Sequence, residues 1–328
     1  MKKQIGFGLV IILLLLASCS QAEPQSTEAE LRQIRLPMGY VADPQYAPFY
    51  VAVEKGYYAA EGLEIEFDYS FETDGIALVG ANELPLAIVS GEQVILARAQ
   101  DLPVVYVMEW FQKYPVAIVS KAEAHIAAPQ DLVGRSVGLP GFWGASYVGY
   151  VGLLTANGLT QAQVNASDIG FNQIESLLSD QSEAVVVYIN NEPVQLRNRG
   201  EEVNVIPVAD YIDLVANGII TNEETLANDP ELVRGFVRAT LLGLRDTLAD
   251  PEAAYETSKR FVEGLDDGRF DVLLASIDLW RTETPGLTDA ASWQQTQTIL
   301  LEAGMLDAPL DNLDAAFTNE FITEPLPQ

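Results

Sequence analysis

Leu63, Ile65 and Phe67 alternate with Glu64, Glu66 and Asp68, and this two-residue period predicts a half-buried strand over Leu63–Tyr69. Ile34–Met38 reads as a strand before it. Tyr46–Ala60, between the two, has helical spacing that stops near Gly62. The alternation continues with a short helix over about Asp74–Ala81 and a buried strand at Leu84–Val89. A helix at Glu92–Ala99 and strands at Val104–Trp110 and Tyr114–Ser120 follow. Strands alternating with short helices predict a mostly parallel sheet covered on both faces.

After Ser120 the pattern starts afresh. Asp131-Leu132-Val133-Gly134 leads into a strand at Ser136–Leu139, and Gly141-Phe142-Trp143-Gly144 opens a helix that runs to about Asn157 and is capped by Gly158. Further strands are expected near Ile169–Phe171, Ala184–Ile189 and Val203–Val208, with a crossover back to the first lobe near Pro207–Asp210. The C-terminal third is helical: Asp229 and Pro230 make an N-cap and N1 pair. Leu232, Val233, Phe236, Val237, Leu241, Leu244 and Leu248 then share one face. The expected architecture is α/β and two-lobed, with residues 33–120 and 208–328 in lobe 1, residues 121–207 in lobe 2, and a ligand cleft between them.

The first residues carry a different signal. Lys2 and Lys3 precede an apolar run from Ile5 to Leu16, followed by Ala17, Ser18 and Cys19. This is the layout of a secretory signal, and the run is shorter than the roughly 20 residues of a membrane-spanning helix. Leu16-Ala17-Ser18-Cys19 resembles a bacterial lipobox, which implies cleavage after residue 18 and acyl chains on Cys19. Several acyl chains hold a protein to a membrane far better than one. Residues 19–32 then read as a flexible tether. The expected location is the extracytoplasmic face of the cell membrane, held by a lipid anchor.

Composition narrows the chemistry. With 18 Lys+Arg against 47 Asp+Glu the formal net charge is −29, which repels phosphate backbones and speaks against a nucleic-acid partner. Cys19 and His125 are the single cysteine and the single histidine. No intrachain disulfide and no Cys/His zinc site is available, and a Ser-His-Asp triad would have to use His125, which sits in a loop-like run. No enzymatic activity, cofactor or metal is expected.

Three segments carry a family resemblance: Tyr46-Ala47-Pro48-Phe49-Tyr50-Val51-Ala52-Val53-Glu54-Lys55-Gly56-Tyr57-Tyr58, Asp131-Leu132-Val133-Gly134-Arg135-Ser136-Val137-Gly138, and Val187-Tyr188-Ile189-Asn190-Asn191-Glu192-Pro193. Together they resemble the substrate-binding proteins of bacterial ABC importers, in the branch of thiamine-pyrimidine-precursor binders with sulfonate, nitrate and taurine binders further off. The resemblance covers about Ile34 to Glu263. It implies a type II periplasmic-binding-protein-like fold that closes on a ligand and passes it to a permease driven by a cytoplasmic ATPase. The same family includes an enzyme that makes the thiamine pyrimidine from its own histidine and pyridoxal phosphate with iron. That enzyme relies on a cysteine-rich motif, which this chain lacks.

In such folds ligands sit at strand C-termini and helix N-termini. This location selects Tyr46, Phe49, Tyr50, Ser90, Glu92, Trp110 and Phe111 from the first lobe. From the second it selects Trp143, Ser146, Tyr147, Tyr188, Asn190, Asn191 and Glu192. Aromatic faces stack on flat heterocycles, while Asn and Glu read ring edges. Phe49, Tyr57 and Tyr58 read more readily as core packing; the alternative for Glu192 is a helix-start carboxylate, and His125 reads as a solvated loop residue. In the pyrimidine-precursor binders a glutamate at the position of Glu192 is expected to contact ring nitrogens. Only Lys113 among the cations lies within three residues of these positions, which disfavours a sulfonate. Riboflavin is the expected ligand: its tricyclic ring needs several stacking surfaces and its ribityl chain several polar partners. The overall likeness to riboflavin-binding lipoproteins of bacterial importers agrees. A thiamine pyrimidine precursor is the alternative, and a sensor or adhesion lipoprotein on the same fold is a further class.

Overall fold

The computed structural model describes residues 31–322. The signal segment, Cys19 and most of the tether lie outside the described residues. The tether's expected end does not hold at Arg32, which opens the first strand and donates its N–H to Gly62 O at 2.8 Å.

The chain builds strand β1 (Arg32–Gly39), helices α1 (Ala47–Glu54) and α2 (Tyr57–Ala60), strand β2 (Leu63–Phe71), helix α3 (Glu72–Gly80), strand β3 (Ala87–Ser90), helix α4 (Gly91–Arg98) and strands β4 (Val104–Glu109) and β5 (Val116–Lys121). There follow β6 (Ser136–Leu139), α5 (Gly144–Ala156), β7 (Asn165–Asp168), α6 (Gln173–Leu178), β8 (Ala184–Tyr188), α7 (Glu192–Asn198), β9 (Val203–Pro207) and β10 (Asn217–Asn222). Five helices close the chain: α8 (Glu223–Asn228), α9 (Pro230–Ala249), α10 (Pro251–Ser258), α11 (Phe270–Trp280) and α12 (Ala290–Glu302). Among the described residues no helix is long and apolar enough to cross a membrane.

The strands form a first group, β1–β2 and β3–β10–β4 with β1 lying against β3, and a second sheet in the order β7–β6–β8–β5–β9. The expectation of mostly parallel sheets needs correction. β1 pairs β2 and β6 pairs β7 and β8 in parallel, but β10 runs antiparallel to β3 and β4, and β5 antiparallel to β8 and β9. β5 and β10 are the strands that follow the two passages of the chain between the first group of strands and the second sheet, so each enters from the opposite side. β10 was not foreseen. All six of its residues are buried, so it shows no alternation.

Three local expectations also shift. The helix foreseen over Tyr46–Ala60 is a 3-10 turn at Pro44–Tyr46 and then α1 and α2, separated at Gly56, whose φ of +71° is the left-handed conformation glycine favours. The strand expected at Ile169–Phe171 lies earlier, as β7, and those residues turn into α6. The strand expected from Leu84 starts at Ala87.

Helix α9 behaves as its pattern requires. The Asp229 side chain accepts from the Leu232 N–H, and Leu232, Val233, Phe236, Val237, Leu241 and Leu244 are buried while Leu248 is half-buried. Each such burial contributes roughly 1.5–3 kcal/mol relative to exposure. The helix crosses α1 closely at Gly243, where a Cβ would lie 2.0 Å from Pro48 O.

Candidate functional site

A cleft lies where strand ends from both sheets meet helix starts, with about 710 Å³ of space between its lining atoms when the open solvent at its mouth is included. Clefts at such junctions hold small ligands. β1 ends in it with Met38, Gly39 and Tyr40, and the 3-10 turn adds Gln45 and Tyr46. The Asp43 side chain holds this turn by accepting from the Gln45 N–H at 3.0 Å. Glu72 enters at the first residue of α3, Ile88 from β3, Trp110 and Phe111 from behind β4, and Asn217 from the start of β10. The opposite wall comes from the loop into α5 (Pro140 and Trp143 to Ser146), the turn into α6 (Phe171, Gln173) and the end of β8 into α7 (Tyr188, Asn191, Glu192).

A glycine on each wall makes room for its neighbours. Gly39 has φ +81°, and a Cβ there would lie 2.8 Å from Glu72 Cγ. A Cβ on Gly141 would lie 2.2 Å from Trp143 Nε1, so the indole folds back over bare backbone. Seven aromatic side chains line the cleft. Inside, Tyr46 stacks on Trp110 with centroids 5.4 Å apart, and Trp110 meets Phe111 edge-on at 4.6 Å. At the mouth, Tyr40 meets Phe171 at 5.1 Å, and Trp143 meets Phe171 at 6.2 Å and Phe71 at 5.2 Å, so rings from both walls touch. The buried indole N–H of Trp110 finds no acceptor among the described residues.

The polar groups are acidic and amide. Tyr188 OH donates to Asn217 Oδ1 at 3.1 Å, Asn217 Nδ2 to Glu72 Oε1 at 2.8 Å, and Ser90 Oγ to Glu72 Oε2 at 2.7 Å. Ser90 Oγ also pairs with Glu92 Oε1, while Glu92 Oε2 has no partner among the described residues. Burial pushes Glu72 up to about 7 and Glu92 up to about 8, the charge of Glu72 adding to the second shift. Glu192 accepts from the Tyr188 N–H at 3.1 Å and is likewise pushed by burial up to about 7. Among the described residues no Lys, Arg or His lines the cleft.

Of the residues singled out in the sequence, the cleft brings together Tyr46, Trp110, Phe111, Trp143, Ser146, Tyr188, Asn191 and Glu192. It does not include the other six. Phe49 and Tyr50 point into the core, Tyr50 stacking on Phe261 at 4.7 Å, because α1 turns that face away. Tyr147 lies beyond Ser146 and donates to Gln161 Oε1 at 2.9 Å. Asn190 is buried behind the wall, donating to Ser276 Oγ at 2.7 Å and Gln45 Oε1 at 3.2 Å. Ser90 and Glu92 stand one layer behind Glu72. Lys113 and His125 are exposed and outside the cleft. Tyr40, Gln45, Glu72, Phe171, Gln173 and Asn217 were missed, although Glu72 and Gln173 sit at helix starts, the rule that found Glu192. Arg269, also missed, pairs with Asp43 and reaches Asn191 Oδ1 at 3.4 Å behind the wall.

Comparison with known proteins agrees with this architecture. The chain is 40% identical to the riboflavin-binding protein RibY of Chloroflexus aurantiacus, over 95% of this chain and 96% of that one. It is 30% identical to the formylaminopyrimidine-binding protein of Halalkalibacterium halodurans, over 94% and 96%. It is 25% identical to the 4-amino-5-hydroxymethyl-2-methylpyrimidine phosphate synthase of Legionella pneumophila, over 68% and 72%. The periplasmic aliphatic sulphonate binding protein SsuA of Escherichia coli superposes with a TM-score of 0.71 at 13% identity, covering 88% of this chain and 99% of that one. That likeness carries the two-lobed binding-protein fold. The family model described as NMT1/THI5 like matches residues 43–254, which hold β2 to β10 and most of the cleft, and the chain belongs to the NMT1/THI5-like family.

Proposed function

We propose that this chain is the substrate-binding component of an ABC importer, capturing riboflavin between its lobes and delivering it to a permease powered by a cytoplasmic ATPase. The observation that carries this reading is the cleft wall, which among the described residues holds seven aromatic side chains, two glutamates, asparagine and glutamine amides, and no cation. Flat apolar rings suit a tricyclic ligand, and carboxylates and amides suit the hydroxyls of a ribityl chain. The Chloroflexus relative supports the same ligand. Contacts made with both lobes at once would favour the closed form.

Cys19 is the lipid attachment point in this reading, holding the lobes at the extracytoplasmic face; Cys19→Ser should release the protein from the membrane fraction. The ligand leaves chemically unchanged. The synthases of the family stand further off in identity, and His125 lies in an exposed turn. A formylated or aminated pyrimidine is the second reading, favoured by the Halalkalibacterium relative and by Asn191 beside Glu192.

The test is a thermal-shift panel of riboflavin, flavin mononucleotide, thiamine, its pyrimidine precursors and taurine, read beside quenching of flavin fluorescence. A ligand that binds only the folded state raises the melting temperature by mass action. The largest shift is expected with riboflavin; a shift with a pyrimidine alone transfers the proposal to that ligand.

A further inference from the structure

Two carboxyl groups compete for one hydroxyl beside the cleft. Ser90 Oγ lies 2.7 Å from Glu72 Oε2 and also pairs with Glu92 Oε1, yet a serine has one proton to donate. With both acids ionised, one short contact would be lone pair against lone pair, so the pair holds at least one proton. The surroundings differ. Glu92 is fully buried, its Oε2 has no partner among the described residues, and it does not reach the cleft. Glu72 receives a donor on each oxygen, Asn217 Nδ2 and Ser90 Oγ, and lines the cleft. Charge is costly on the first and compensated on the second. Asn217 is oriented for this by Tyr188, whose OH donates to Oδ1 from the other sheet.

We propose that Glu92 carries the proton and donates it to Ser90, leaving Glu72 as the ionised, specificity-determining acceptor of the cleft, which takes a hydrogen bond from an uncharged ligand and turns away phosphorylated ones. The choice of flavin probes rests on the function proposed above; the position of the proton does not. Glu192 on the opposite wall adds to the exclusion of anions; Arg269, which offsets part of its charge, stands behind that wall and is itself paired with Asp43. The titratable groups that interact electrostatically with Glu92 are Glu72 on α3, Tyr106 on β4, Tyr114 ahead of β5 and Tyr188 on β8. Burial pushes all three phenols up, so they stay neutral, and none of the four groups is a cation. Loss of the Glu92 proton would set two carboxylates on one hydroxyl and disturb Glu72.

The experiment compares wild type, Glu72→Gln and Glu92→Gln by infrared spectroscopy of the ligand-free protein and by titration with riboflavin and flavin mononucleotide from pH 6 to 9. At neutral pH, where Glu109 and Glu192 add protonated-carboxyl bands of their own, the carbonyl region is expected to lose one component in Glu92→Gln and to keep that component in Glu72→Gln. Glu72→Gln should weaken riboflavin roughly tenfold and narrow the preference over the mononucleotide by about threefold or more. Wild-type affinity should fall above pH 8, and Glu92→Gln, whose amide keeps a donor towards Ser90, should lose that dependence. A band lost in Glu72→Gln instead, or an unchanged preference between the two flavins in a folded Glu72→Gln, overturns the proposal. A wild type that leaves riboflavin unbound overturns the function proposed above, while the infrared bands still decide which acid holds the proton.

Discussion

Trp143 owes its place to its neighbours. Gly141 leaves the space its indole covers, and Gly144, with φ +67°, turns the chain into α5. At 38% exposure the ring contributes little to the core, so Trp143→Ala is expected to weaken riboflavin roughly tenfold with a melting temperature within about 2 °C of wild type. Glu192→Ala should weaken binding too, but it also removes the acceptor of the part-buried Tyr188 N–H and should cost about 1 kcal/mol of stability. Ligand titration with thermal melts separates the two; unchanged affinity in both variants, with intact circular dichroism, takes them out of the site. Both residues were legible because they follow strands and open helices. Which side of such a helix faces the cleft was not: Tyr46 faces it while Phe49 and Tyr50, one turn on, pack inward. The pairing of Glu72 with Ser90 and Glu92 joins α3 to the β3–α4 junction, a contact no local pattern records.

Among the elements, the crossing of α9 over α1 does most to set the lobe 1 wall, because α1 continues the turn that carries Gln45 and Tyr46. Gly243 allows it, since any Cβ would meet the Pro48 carbonyl at 2.0 Å and Ala52 Cβ at 2.9 Å. Gly243→Ala is therefore expected to cost about 1–3 kcal/mol, read as a lower denaturation midpoint with an unchanged slope. Amphipathic α9 and alternating β2 were readable from periodicity, because each has one wet face. β10 and the direction of β5 were not: strands buried on both faces alternate in nothing, and their direction follows from where the chain returns. The shift of β7 has a similar origin, three of its four residues, Asn165, Ser167 and Asp168, being polar and exposed at the sheet edge.

For the molecule as a whole, the two-lobed α/β architecture was legible from strands and helices that alternate, pause and begin again. Among the described residues the whole also gathers four buried glutamates: Glu72, Glu109 and Glu192 are pushed from 4.5 up to about 7 and Glu92 up to about 8, burial being the chief cause in each. Between the ordinary value and these raised ones the native state binds more protons than the unfolded chain. Stability therefore falls as pH rises through that window. The melting temperature is expected to be roughly 5 °C or more higher at pH 5 than at pH 8. The net charge of −29 acts in the same direction, and Glu92→Gln separates the two by removing its own share of the slope. A melting temperature that rises from pH 5 to pH 8 would mean these acids are ionised in the native state throughout.

The half-exposed indole at the mouth has an optical consequence. Trp110, Trp280 and Trp293 are at most 2% exposed, so among the four tryptophans Trp143 is the one that solvent reaches. A neutral collisional quencher such as acrylamide should dim the long-wavelength edge of the emission through Trp143, and a bound flavin lying over that ring should shield it. The protein thus carries its own lamp at the door, and the rate at which that light becomes unquenchable is the rate at which the cleft fills.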